Sequence, residues 1–162
     1  MNYPYLPQGR TILYVPVQDR FMSEAKKERD ENSSDAQHPT GAVVVRDGVI
    51  IGRGANQCAI KNKWFSDFHK NKFCMRRFLA IKSGHKYWLC PGCAAFRHHA
   101  ESRAVKNAKR NVKDVTGSDL YLYGHWWCCK PCWDKMVGAG IKDVYLVDGA
   151  TELFADKKRL QS

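Results

Sequence analysis

The clearest pattern of apolar and polar positions is the pair of apolar runs in Gly41-Ala42-Val43-Val44-Val45-Arg46-Asp47-Gly48-Val49-Ile50-Ile51-Gly52-Arg53-Gly54. Two β-branched runs flank an Asp-Gly pair, which supplies the positive φ angles of a type I′ turn and predicts a hairpin. Both arms are almost wholly apolar, so both faces of their sheet should be covered. Upstream, residues 17–37 read as an amphipathic helix. Asp19 is its N-cap, Phe21, Met22 and Ala25 are its apolar side, and Lys26 to Glu31 are its wet side. Asn32-Ser33-Ser34-Asp35 ends it.

Downstream, His98 to Arg110 has helical spacing. Ala100, Val105 and Ala108 oppose Arg103, Lys106, Lys109 and Arg110. Ser118 to Gly124 alternates as a strand. Cys129 to Val137 fits a helix closed by Gly138 or Gly140, and Asp143 to Val147 is a short apolar strand. Beyond Gly149 the pattern offers a short strand or helix and a basic tail. A strand, crossover helix and strand pair in parallel with right-handed chirality, so the order predicts a mixed sheet with helices on its faces. The 162 residues suit one domain with its own core.

Residues 57–96 break this regularity and read as an insertion. They carry Trp64, Phe65, Phe68, Phe73, Phe78, Tyr87 and Trp88 among basic residues, with Cys58, Cys74, Cys90 and Cys93. A structureless stretch of about 40 residues is unusual in a compact domain, so something should organise it.

Composition narrows the function. The net charge of +11 points to an anionic partner, a nucleotide phosphate or a nucleic-acid backbone, or else to a well-solvated basic surface. No apolar run approaches the roughly 20 residues of a membrane span, so no membrane partner is expected. Met1 to Val17 lacks the basic start and apolar stretch of a signal peptide, and a cytoplasmic, reducing location is expected. There, paired cysteines are metal ligands more often than disulfides, and seven cysteines cannot all pair.

Two motifs then stand out. His99-Ala100-Glu101 and Cys129-Lys130-Pro131-Cys132 each fall at a helix start. One histidine and two cysteines make a tetrahedral zinc site with an open fourth position, as catalysis requires. The helix dipole favours thiolate at a helix N-terminus. Glu101, two residues past His99, is free to move protons beside a zinc-bound water. This H-x-E with C-x-x-C is a recognised signature of zinc deaminases. The alternative is a closed site with Cys128 or His98 as fourth ligand. Cys90-Pro91-Gly92-Cys93 has zinc-knuckle spacing, and Cys58, Cys74 or His85 could complete a second, structural site. The alternative there is free thiols. His38 and His69 read as histidines without a metal role.

These residues resemble the cytidine and deoxycytidylate deaminase superfamily, most closely its deoxycytidylate branch, over about residues 39–56 and 97–148. Gly41 to Gly48 is similar to its first hairpin, His99-Ala100-Glu101 to its H-A-E motif, and Gly140-Ile141-Lys142-Asp143-Val144 to its G-I-x-x-V. The resemblance implies a three-layer α/β/α fold whose mixed sheet begins with the hairpin. Its fifth strand would come from Thr151 to Phe154 or be missing. It implies zinc on His99, Cys129 and Cys132, with Glu101 catalytic. It also implies substrate contacts at Asn56 and at the backbone of Ala100 and Cys129, and a homo-oligomer. Some deoxycytidylate deaminases also carry a zinc in the corresponding insertion. Cys128 replaces the family's usual proline. His125-Trp126-Trp127 resembles the S-W-S-P-C of polynucleotide cytidine deaminases, which makes Trp126 either a base-stacking wall or core packing.

Three functions follow as expectations. The first is deamination of a cytosine nucleotide such as dCMP, with Arg103 or Lys130 near the phosphate. The second is deamination of cytosine or adenine in single-stranded nucleic acid or tRNA, clamped by the insertion from Lys61 to Lys86. The third is a non-catalytic zinc module that binds RNA, which has no use for Glu101.

Overall fold

The computed structural model describes residues 5–81 and 85–155. The expected basic tail beyond residue 155 lies outside them. Among the described residues five strands form one mixed sheet: β1 (Ile12–Val15), β2 (Gly41–Arg46), β3 (Val49–Ala55), β4 (Asp119–Tyr123) and β5 (Val144–Val147), in the order β1-β5-β4-β2-β3. β2 is antiparallel to both β3 and β4, whereas β1, β5 and β4 run parallel. Asp47 and Gly48, at φ 51° and 74°, make the predicted turn between β2 and β3.

Helix α1 (Arg20–Asn32) starts at the predicted cap. One Asp19 carboxylate oxygen accepts from the N–H groups of Phe21 and Met22, at 2.9 and 3.0 Å. Met22 and Ala25 are its buried face. Helix α2 (Lys63–Asn71) and the short α3 (Met75–Phe78) lie in the insertion. Helix α4 (Ala100–Asn111) buries Ala100, Ala104 and Ala108, a stripe of small side chains one helical turn apart. Helices α5 (Lys130–Gly138) and α6 (Ala150–Phe154) follow, the last among the described residues.

Glycines set how closely the layers approach. A Cβ on Gly41 would strike the Ala25 carbonyl and Arg29 of α1. A Cβ on Gly52 or Gly54 would strike the backbone of Ala104 in α4. Gly41 and the pair Gly52, Gly54 face opposite sides of the hairpin, because Ala42, one residue past Gly41, pairs with Gly54. So α1 covers one face of the sheet and α4 the other, with α5 packed beside α4. The three-layer α/β/α arrangement is the one expected.

One expectation fails. Residues 151–154 are helical, and the fifth strand is β1, paired from Ile12 with Val144 to Val15 with Val147. β1 is an edge strand with Leu13 and Tyr14 exposed, so it lacks a strong apolar run. Pairing with a distant strand makes it. The sheet therefore begins before the hairpin. Among the described residues no helix is long and apolar enough to cross a membrane.

Candidate active site

The connection α4-β4-α5 places the site. A helix entering a strand and a helix leaving it both run antiparallel to that strand, so the N-termini of α4 and α5 meet at the carboxyl end of β4. That is where open α/β sheets bind ligands. His99 is the N-cap residue of α4 and Cys129 that of α5. The Sγ atoms of Cys129 and Cys132 each lie 3.5 Å from His99 Nδ1, and the three donor atoms lie within 4.8 Å of one another. Metal–sulfur and metal–nitrogen bonds of about 2.3 and 2.05 Å at tetrahedral angles put the two donors about 3.6 Å apart. The donor set fits zinc.

The ring of His99 is aimed from behind. Its Nε2 lies 3.2 Å from the Ala94 carbonyl oxygen. Nε2–H donating there leaves the Nδ1 lone pair for a metal. Cys129 is pulled down to about 5, first by a hydrogen bond from the Cys132 thiol and then by His99, against burial. It is thus a thiolate at neutral pH. Cys128 is the reverse: burial pushes its thiol well above the ordinary value, followed by the charge of Glu101. Neither Cys128 nor the exposed His98 joins the three donors, so among the described residues the fourth position stays open.

Glu101 lies in the first turn of α4 and is 5% exposed. Burial raises its pKa, and the charge of His99 works against that rise. A carboxyl whose charged form is disfavoured in this way takes up a proton more readily than an ordinary glutamate and can pass it on.

The family model for the cytidine and deoxycytidylate deaminase zinc-binding region matches residues 16–148. The chain belongs to the cytidine and deoxycytidylate deaminase family.

A tRNA-specific adenosine deaminase of Streptococcus pyogenes serotype M18 (strain MGAS8232) is 51% identical to this chain over 39 residues, 24% of each chain. The match therefore spans about a quarter of the length of such curated relatives. The dCMP deaminase of cyanophage S-TIM5, solved with dCMP and dUMP, superposes with TM-score 0.49 at 21% identity, covering 84% of this chain and 85% of that one. The guanine deaminase of Bacillus subtilis gives TM-score 0.48 at 19% identity, covering 89% and 74%.

Other predicted residues of this family member fall as follows. Asn56 is buried where β3 ends, at the site's rim. Its Oδ1 accepts from Ser33 Oγ at 2.6 Å and Thr40 N at 2.9 Å, and its Nδ2 donates to the His38 carbonyl at 2.8 Å. The side chain is thus largely engaged in holding loops. Trp127 is buried against Cys129 and Cys132, while Trp126 is half-buried beside it. Lys130 is held by Asp134 at 2.7 Å, and Arg103 is exposed on α4.

In the insertion, Cys74, Cys90 and Cys93 come together with His69 at the end of α2, which corrects the reading of His69 as a histidine without a metal role. The distances are 4.0 Å from Cys74 Sγ to Cys90 Sγ, 3.8 Å to Cys93 Sγ, and 3.6 Å from Cys93 Sγ to His69 Nε2. Sulfurs this far apart form no disulfide, and a tetrahedral zinc sets a sulfur–sulfur edge of about 3.8 Å. Cys58 and His85 are not in the group. The Cys58 thiol donates to the Gly92 carbonyl at 2.9 Å, and burial pushes it up to about 12, so it stays a thiol.

Three further contributors were missed by the sequence reading. His69 carries no local motif. The Tyr87 ring stands perpendicular to His99, with ring centroids 5.2 Å apart. His125 is kept neutral by burial, which lowers it to about 3. Its Nδ1 accepts from the N–H groups of Trp126 and Trp127, which leaves Nε2–H as a donor. A histidine in the run before C-x-x-C is the one signal that could have marked it.

Proposed function

We propose that this chain catalyses hydrolytic deamination of a cytosine nucleotide, with dCMP converted to dUMP and ammonia. The observation that carries the reading is the buried Glu101 carboxyl beside three donors that leave one coordination position open. Zinc held by His99, Cys129 and Cys132 would supply a Lewis acid and an acidified water. Glu101 takes a proton from the attacking water and delivers it to the ring nitrogen next to the amino-bearing carbon. It passes the second proton to the departing amino group. The carbon–nitrogen bond breaks, a carbonyl forms and ammonia leaves. The N–H of Ala100, at the first position of α4 where amides lack an intrahelical partner, orients the reactants. Trp126 forms a wall for the base, and Asn56 keeps the rim closed behind the sugar.

Ammonia release from dCMP, dC, dCTP and a cytosine-bearing oligonucleotide tests this, with Glu101→Ala as control. Turnover of dCMP and none of the oligonucleotide supports it; turnover of the oligonucleotide alone overturns the choice of substrate.

A second reading, deamination within single-stranded nucleic acid, is favoured by the insertion's surface. Trp64 and Phe68 stack at 5.6 Å on α2 and are exposed, as are Phe78 and Trp88. Exposed aromatic side chains among cations suit stacked bases. A groove of 510 Å³ between α4 and α5 adds Lys106, Lys109, Arg110 and Lys135. For the second donor group we infer a structural zinc on His69, Cys74, Cys90 and Cys93. Its four ligands leave no open position, and it would organise an insertion with little apolar core. About two zinc ions per chain is the expected content.

A further inference from the structure

The two donor groups are joined through a single peptide. Cys93 belongs to the insertion group, and the next residue, Ala94, carries the carbonyl that meets His99 Nε2 at 3.2 Å. Ala94 is buried, and its own N–H reaches Asp35 Oδ2 at 3.4 Å. The knuckle that leads to it is pinned along its length. Cys93 N donates to the Cys90 carbonyl at 3.0 Å. The Pro91 carbonyl accepts from Ala59 N and Ile60 N, and the Gly92 carbonyl accepts from the Cys58 thiol. Gly92 lies against the His69 ring so closely that a Cβ there would strike it.

The other end of the knuckle reaches the same histidine. Tyr87 opens the 3-10 turn Tyr87–Leu89 that runs into Cys90. Its ring meets that of His99 at a right angle, and the Arg76 guanidinium lies over its face at 4.0 Å from the centroid. A carbonyl and an aromatic ring from the two flanks of one C-x-x-C thus position His99, a ligand of the other group.

We propose that the insertion centre is the outer frame of the catalytic metal site, so that a metal on His69, Cys74, Cys90 and Cys93 raises the affinity of His99, Cys129 and Cys132 for theirs. This rests on the reading of that centre as a zinc site. The physical route is the Ala94 carbonyl. Held in place, it fixes the Nε2–H tautomer and ring plane of His99; released, the ring samples orientations that do not present Nδ1. Outer partners of metal-bound histidines typically change affinity about 10–100-fold.

The test removes the insertion metal and reads the other one. Cys74→Ala and Cys90→Ala each delete one donor without touching His99. Each should lower zinc content from about two to about one per chain. The remaining zinc should be lost to a competing chelator at about 10–100-fold lower chelator concentration than in the unmodified protein. Cys58→Ala, which touches the same knuckle without joining the donors, should keep both ions and near-normal retention. One ion per chain in the unmodified protein, with Cys74→Ala unchanged, refutes the zinc reading of the centre. Two ions, with catalytic retention unchanged in both variants, refutes the coupling alone. Should the variants not fold, Co²⁺ titration of the metal-free unmodified protein decides. Cooperative filling of the two sites supports the proposal and independent filling overturns it, because coupling between sites is reciprocal.

Discussion

Glu101 stands two residues past His99 on the first turn of α4, close enough that the charge of His99 opposes the burial that raises the Glu101 pKa. The carboxyl is not among the metal donors. Glu101→Gln keeps the shape and removes the proposed proton carrier. We expect kcat to fall about 10²–10⁴-fold while bound zinc, measured by elemental analysis, is unchanged. Loss of zinc together with activity would falsify the assignment.

Gly54 faces α4 with no room for a side chain. Gly54→Val should push α4 off the sheet and cost about 3 kcal/mol, at the upper end for overpacking. Because His99 and Glu101 ride on α4, activity should fall with stability. The same substitution at Gly48, at the open hairpin turn, meets no neighbour, though its φ of 74° strains it. Denaturant melts with parallel rate measurements separate the two: only Gly54→Val should alter the rate per folded molecule.

Asp119 sits at the start of β4, with its Oδ1 buried and without a hydrogen-bond partner. Burial, followed by the charge of Asp143, raises its pKa. A carboxyl whose folded pKa lies above its unfolded one makes the folded state bind more protons. Its cost is therefore absent below the unfolded pKa and grows as pH rises to the folded pKa. Asp119→Asn should stabilise the protein at pH 7 by about 1 kcal/mol, and the gain should vanish near pH 3. Thermal melts at the two pH values check this; an equal gain at both would rule out the electrostatic cause.

Trp64 and Phe68 pack on each other and not on the core. Replacing both by alanine should leave dCMP turnover and thermal stability nearly unchanged. If the chain also binds single strands, oligonucleotide affinity should weaken about tenfold or more, since each stacked base contributes roughly 1–3 kcal/mol. Fluorescence anisotropy with a labelled oligonucleotide measures it. An unchanged affinity excludes the insertion helix as the stacking surface.

The sequence alone determined the elements whose signals are local. Asp47-Gly48 announced the hairpin, Asp19 the start of α1, and the two short motifs His99-x-Glu101 and Cys129-x-x-Cys132 the proposed donors and proton carrier, which the α4-β4-α5 connection then brings together. Each depends on neighbours a few residues apart, which backbone geometry and capping fix directly. The tertiary structure decided the rest. β1 is a strand because β5 offers it an edge, and its own exposed Leu13 and Tyr14 gave no period to read. His69 lies 24 residues before Cys93 and joins it only because α2 folds back over the knuckle. The Ala94 carbonyl was illegible in principle, since every residue has one. Only packing shows which carbonyl a histidine ring will meet.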